Sequence, residues 1–435
     1  MPRPTPLPLF CILLILYQLG CGDMSAVEEI RPDAARIAAS ETSLSVAAGD
    51  WPWWRGPGGN NVSQSDSLPV QWSRATNVRW STDIPGRGHS SPSVWGDRVL
   101  LTTADEDQQK QILLAYDRQS GDNLWQTVIH EGDFTVKHGK NSHASATPAC
   151  DGQHVVVAFI NGDALYVTAT DLKGNIVWQR EAGPFKAVHG YGSSPVIYQS
   201  LVIVNGDNAD NSFLAALDVR TGEIVWRVAR ERTGEYGNYA TPSLGNFAGE
   251  TQLVLHGNSK VISYDPASGE ELWSCDGPSE VAACTSACSG NLVFASGGYP
   301  EKEMLAIRPD GHGDVTGSHV AWKTSKNITY VPSPVYDDGL LYVVNDQGIA
   351  TCYEADSGSV VWQERLGGNF SASPVLAAEK IYVSDERGTT YVLRAGRQFE
   401  ILAENKLEDV GFASPVIIGN QILLRAGHRL YSIAE

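Results

Sequence analysis

The chain has 435 residues, with 32 Lys and Arg against 50 Asp and Glu and a net charge of −18; that is the wrong sign for neutralising phosphates, so nucleic acid and anionic headgroups are not expected partners. Charged residues make up only 19%, while 43 Gly, 22 Pro and 12 Trp accompany a hydrophobic content of 42%, a mixture that describes a turn-rich folded body with a large core and excludes disorder over most of the length. The seven Cys include no C-x-x-C and no adjacent pair, which removes zinc-ribbon and thioredoxin-like readings.

Leu9 to Leu19 is almost wholly apolar and follows one Arg and four Pro. A run this short does not cross about 30 Å of hydrocarbon, so residues 1–21 are predicted to be a signal peptide. Gly20-Cys21 resembles the cleavage box of bacterial lipoproteins, with Gln18 where that box favours Leu. Cys21 is therefore the candidate lipidation site, with plain secretion or an uncleaved anchor as alternatives. If Cys21 carries lipid, the five Cys that remain are an odd number and cannot all pair. Cys284 and Cys288, on one strand, would stand about 13 Å apart, too far for a disulfide. Residues 22–50 have no sustained period and read as a tether. Residues 51–76 open on Trp51-Pro52-Trp53-Trp54, outside any repeat. They are either a latch on the flank of the body or an exposed partner patch, and the expense of exposing aromatic clusters favours the latch.

From residue 77 onward one unit repeats. A Ser/Thr-Pro pair ahead of alternating apolar residues occurs at Ser91-Pro92, Thr147-Pro148, Ser194-Pro195, Thr241-Pro242, Ser333-Pro334, Ser373-Pro374 and Ser414-Pro415, and Thr285-Ser286-Ala287 fills the one double gap. Eight anchors spaced about 46 residues apart predict propeller blades. Each anchor leads into short runs rich in β-branched residues, such as Leu201-Val202-Ile203-Val204, so each unit is predicted to be a four-stranded antiparallel meander. Asp218, Gly222 and Trp226 mark the turn into a fourth strand and recur as Asp117/Gly121/Trp125 and Asp265/Gly269/Trp273. At that frequency the Trp is expected to wedge one blade against the next, with Gly permitting the turn. Residues 414–435 supply only three strands, while Asn77-Val78-Arg79-Trp80 is an orphan strand ahead of the first anchor. The expected fold is thus all-β, an eight-bladed propeller over residues 77–435 whose ring is closed by an N-terminal strand completing the last blade.

The Ser-Pro-Val start, the Leu-x-Ala-x-Asp strand and the Thr/Ser-Gly-x-x-x-Trp end resemble the repeat of pyrrolo-quinoline-quinone (PQQ)-type propellers. That family includes quinoprotein dehydrogenases and the lipoprotein of the outer-membrane barrel assembly machine. Trp51 to Pro57, Lys140 to Ser145 and His189 to Pro195 are similar to a set of exported bacterial PQQ-like propeller proteins. The resemblance implies the ring and an extracytoplasmic location on the periplasmic side, anchored by lipid or secreted. Because the repeat builds blades and not sites, it leaves two function classes open. One is a non-catalytic, monomeric interaction scaffold or ligand-binding module, with a role in cell-envelope assembly as one version; its partners are envelope proteins or a small ligand, it has no cofactor, and it touches membrane only through an N-terminal lipid. The other is a PQQ-dependent alcohol or sugar dehydrogenase, for which the resemblance implies PQQ, calcium, a stacking Trp, an Asp base and a vicinal Cys pair. No vicinal Cys pair, Ser-His-Asp set, paired carboxylate or phosphate loop stands out, so the scaffold is the expected class and no residue is assigned to catalysis.

In such a meander, the loops entering the first strands share one face with those joining second to third strands. Just before the anchors stand His89, His143, His189 with Tyr191, Asn238 with Tyr239, Tyr330, Asn369 and Phe412. If each first strand lines the channel, these residues ring its mouth and either hold a ligand or partner or cap the channel and order water. Residues 126–146 form an insertion on that face with His130, Lys137, His138 and Lys140. Asn205 to Asn211 is rich in side-chain oxygens but lacks the EF-hand spacing and reads as a turn. His89, His143 and His189 come from neighbouring blades without a recognised ligand spacing, so no metal site is assigned.

Overall fold

The structure, a computed structural model, describes residues 27–33, 36–37, 44–232, 235–407 and 409–435; the expected signal peptide and Cys21 lie outside the described residues. Eight antiparallel sheets follow one another along the chain, each in meander order. We number the blades 1 to 8 from the anchors at Ser91, Thr147, Ser194, Thr241, Thr285, Ser333, Ser373 and Ser414. Blade 3 is built from Val196–Tyr198, Leu201–Asn205, Phe213–Asp218 and Ile224–Ala229. Its two middle strands are almost wholly buried, because each blade has a neighbour packed on either face; that is why these runs are continuously apolar. Blade 4 has an additional strand: Gly313–Asp314, from the long connection before Trp322, pairs parallel with Glu271–Asp276.

Both ends of the chain meet in blade 8. Val78–Asp83 pairs antiparallel with Arg429–Ile433, placing Trp80 opposite Ser432 and Ser81 opposite Tyr431. The blades are locked to one another by the fourth-strand Trp. A Cβ on Gly222 would lie 2.6 Å from the Trp178 ring of the preceding blade, and Gly222 has φ +72°, so both space and backbone require glycine there. Trp178 Nε1 donates to the Val219 carbonyl of the same turn at 2.8 Å. Trp125 with Leu172, Trp226 with Pro266 and, across the closure, Trp80 with Arg118 repeat that bond. Trp226 and Trp273 are the most deeply buried of these residues.

Residues 50–63 cross the ring, where the sequence suggested a latch on its flank. Trp51 exchanges two backbone hydrogen bonds with Val94 of blade 1, at 2.9 and 2.7 Å, and the Pro52 carbonyl accepts Cys150 N–H of blade 2. The chain next touches blade 5 through Trp54 and Thr285, blade 6 through Arg55 and the Pro334 carbonyl, and blade 7 through Asn61, Ser63 and Leu376. Blades 1 and 5 stand opposite one another in a ring of eight, so the strap passes beneath the axis between Pro52 and Trp54. Its backbone supplies partners to the inner edges of the first strands, which have no neighbouring strand of their own. Arg55 is fully buried against the carbonyls of Gly59, Asn60 and Pro334, and burial lowers its guanidinium to about 10.

Part of the expected tether is also bound. Ile30 exchanges two 2.9 Å backbone bonds with Arg227 on the outer strand of blade 3, and Val27 is buried beside it. The reason is the same: the outer strand of a blade presents an open edge that an extended segment can pair with. We expect Trp226→Ala to lower stability by about 3–5 kcal/mol as a core truncation. The check is a urea midpoint that falls with little change in slope.

Candidate functional site

Each anchor except Thr285 precedes a proline, which keeps it extended and leaves its hydroxyl facing the neighbouring blade. Ser91 N–H donates to Thr147 Oγ1 at 3.1 Å, Thr147 to Ser194 at 2.9 Å, and Ser194 to Thr241 at 2.9 Å. In the other half of the ring Thr285 donates to Ser333, Ser333 to Ser373, Ser373 to Ser414, and Ser414 back to Ser91, at 2.8–3.0 Å. Thr285 Oγ1 instead accepts the Trp54 indole N–H, at 2.9 Å. Every one of the eight hydroxyl oxygens therefore takes one N–H and keeps an O–H of its own to give.

This ring, with Trp54 entering from the strap side, encloses a cavity of about 430 Å³ on the axis. The residue two positions before each anchor also lines it, because alternate side chains of an extended chain share a face. That second ring holds His89, Tyr239, Ser371 and Phe412, with smaller or apolar residues at the other blades. His138, Lys140, His189 and Tyr330 form the rim. Lys140 reaches from the insertion before blade 2 to Glu386 of blade 7, with Nζ 2.9 and 3.0 Å from the two carboxylate oxygens. Ser371 donates to the same carboxylate at 2.7 Å.

Of the residues singled out in the sequence, His89, His189, Tyr239, Tyr330 and Phe412 line the cavity. His143, Tyr191, Asn238 and Asn369 do not, and each departure has a local cause. A hydroxyl turn, in which Ser142 bonds Ser145 and the Ala144 amide, swings His143 out onto Phe134, with ring centres 4.1 Å apart. Tyr191 points into blade 3, where its hydroxyl donates to the Asn205 carbonyl and its ring meets Phe185 edge-on. Asn238 is buried, accepting Ala282 N–H and donating to Asn258. Asn369 is exposed, while its neighbour Phe370 turns inward. With His143 turned away, the three histidines do not converge. Asp207, in the segment from Asn205 to Asn211, is held by Arg230 at 2.8 Å. Among the described residues no group of three or more His, Cys, Asp or Glu is placed to hold a metal ion.

The lining is electrically quiet. Burial, then Arg425, Arg87 and Lys137, lowers the His89 imidazole to about 3. Burial and His138 lower His189, and burial raises the Tyr330 phenol to about 12. At neutral pH both imidazoles are therefore uncharged, each with one donor and one acceptor. His89 packs on Phe412 with centres 4.5 Å apart. His189 stacks on Tyr236 at 5.4 Å and 7° and bonds the Tyr239 hydroxyl at 3.1 Å. Sequence reasoning missed Trp54 as the floor, the hydroxyl ring and the Lys140 clasp. The hydroxyl ring had a signal, since a hydroxyl stands at every anchor, whereas Trp54 and Lys140 lie outside the repeated pattern.

A family model described as outer membrane protein assembly factor BamB matches residues 62–184, 109–314 and 311–399. The chain is 24% identical to outer membrane protein assembly factor BamB of Yersinia pestis over 369 residues, covering 80% of this chain and 86% of that protein. It is 27% identical over 409 residues to quinohemoprotein alcohol dehydrogenase ADH IIB of Pseudomonas putida, covering 84% of this chain but only 54% of the dehydrogenase. The crystal structure of BamB from Moraxella catarrhalis superposes with a TM-score of 0.59 and 14% identity, over 82% of this chain and 99% of that one; at that identity the likeness is one of fold.

The depressed His89 implies a pH dependence. The unfolded chain takes up a proton near 6.5, which the folded His89 refuses until about 3, so stability is lost as pH falls through that window. We expect His89→Phe to flatten the fall in urea midpoint between about pH 7 and about pH 4.5. An unchanged slope would show that His89 is solvated.

Proposed function

The chain belongs to the outer membrane protein assembly factor BamB family, and from that premise we propose that it is a non-catalytic, monomeric propeller outside the cytoplasm that scaffolds other envelope proteins. The observation that carries this reading is an aromatic patch on the rim of the open face. Tyr236 stacks on His189, Tyr299 packs edge-on against Tyr236 at 5.4 Å, and His138 packs edge-on against His189 at 5.7 Å. Tyr299 is 46% exposed. The patch spans blades 3 to 5 and the insertion before blade 2, and rigid aromatic side chains of this kind anchor protein interfaces.

The dehydrogenase resemblance finds less support at the site. A quinone with calcium needs a cage of acidic oxygens, and among the described residues the cavity lining contains no carboxylate. The redox function of those relatives is therefore not carried over to this chain.

A lipid on Cys21 completes the proposal. Five residues lie between it and Val27 on blade 3, a span of at most about 22 Å, which would hold that edge of the disc near a membrane. We expect Cys21→Ser to move the protein from the membrane fraction to the soluble fraction; retention in the membrane fraction would exclude the lipid as its anchor. For docking, Tyr236→Ala with Tyr299→Ala should weaken capture of envelope partners at least tenfold, as loss of interface anchors does, while the melting temperature stays within about 2 °C. Undiminished capture would place the partner surface elsewhere.

A further inference from the structure

We infer that the axial cavity is a binding site for a neutral saccharide of one or two rings, held between the hydroxyl ring and the aromatic wall. The inference stands apart from the docking reading, because Trp54, His89, Phe412 and the anchor hydroxyls line the cavity and are not among the residues of the rim patch.

Three observations converge on that chemistry. The first is charge. In a chain of net charge −18, Lys140 is, among the described residues, the only formally charged side chain lining this cavity, and Glu386 neutralises it at 2.9 Å. A phosphate, carboxylate or ammonium entering the cavity would lose water without gaining a counter-charge. The ligand that fits is uncharged.

The second is the density of groups able both to give and to take a hydrogen bond. All eight anchor hydroxyls line the space, and each has already filled one acceptor position with a backbone or indole N–H. What each presents inward is an O–H and a remaining lone pair. Tyr239 and Tyr330 add phenols, and His89 adds an imidazole. A ligand with hydroxyls around its whole circumference is the complement of such a ring; a hydrocarbon would leave it unsatisfied.

The third is the set of ring faces. Trp54 lies at the strap end, the His89–Phe412 pair stands on one wall, and Tyr239 and Tyr330 line another. The C–H face of a pyranose packs on such a surface while its equatorial hydroxyls reach sideways. A cavity of about 430 Å³ falls within the size of small-molecule sites. The Lys140–Glu386 pair stands at the rim of this space.

The test is calorimetric titration of the full chain with maltose, cellobiose and N,N′-diacetylchitobiose, with glucose 6-phosphate as the charged control. We expect one of the neutral disaccharides to bind at one site per chain with Kd between about 10 μM and 1 mM. Trp54→Leu and His89→Ala should each weaken that binding at least tenfold. Trp54→Leu removes part of the strap's hold and is first checked for an unchanged melt; should it melt early, His89→Ala and Tyr239→Phe, which take one ring or one hydroxyl from the wall, decide the matter. The inference is overturned by the absence of saturable binding of any of the three up to about 10 mM, by binding that the wall variants leave intact, or by tighter binding of the phosphate. Tyr236→Ala with Tyr299→Ala should leave sugar binding unchanged, so failure here and failure of the scaffold reading are read separately.

Discussion

A closed ring of sheets has an inner edge, and the molecule is organised around satisfying it. The first strand of each blade pairs on one side only, so a row of backbone N–H and C=O groups faces the axis in every blade. Buried without partners, each such group would cost about 1–3 kcal/mol. The chain meets this demand in two ways. At the level of the anchors, the N–H of every blade but blade 4 finds the next blade's hydroxyl, as from Ser414 to Ser91 and from Ser91 to Thr147, and at Thr285 the Trp54 indole takes that place. Deeper along the first strands, the strap of residues 50–63 provides backbone partners to Val94, Cys150 and Leu376.

Those two solutions make the two faces unequal. The strap closes one end of the channel with Trp54 and the buried Arg55, while the other end stays open beneath the entering loops. A channel that would otherwise run through the disc becomes a cup. Its base is a ring of hydroxyls whose positions are set by backbone hydrogen bonds between blades, so it is as rigid as the ring itself. The His and Tyr residues above this base keep to their neutral forms because they are partly buried, with the Arg425 charge further lowering His89 and the Asp346 carboxylate further raising Tyr330.

The outer edges pose the same problem and receive similar answers. The segment at Ile30 covers part of the edge of blade 3, and Gly313–Asp314 covers part of blade 4. Blade 8 is completed by the strand at Trp80, whose indole then locks onto the turn at Arg118 in blade 1. One contact type, a Trp on a glycine turn, thus serves both the ordinary interfaces and the closure. The ring therefore needs no separate device where its ends meet.

The blade count, the meander and the closing strand were all legible from residues 77–435, because a repeated unit states its local rules many times. Ser/Thr-Pro, Asp-x-x-x-Gly and Trp recur at fixed offsets, and each carries its reason within a few residues: an extended anchor, a tight turn, a wedge. The cavity was half legible. Alternation alone selects His89, Tyr239 and Phe412, two residues before their anchors, and rejects Tyr191 and Asn238, three before theirs, but it also rejects Tyr330 and His189, which reach the lining from three and five residues before their anchors. It does not foresee the turn at Ser142 that turns His143 outward. Nor does it foresee where the strap goes, since Trp51 to Asn61 belong to no repeat and meet blades 1, 2, 5, 6 and 7 at separations of up to 315 residues. Local periodicity determined the ring; only tertiary structure decided which side chains fill its centre, because the groups that meet on the axis come from all eight blades and no local pattern encodes their convergence.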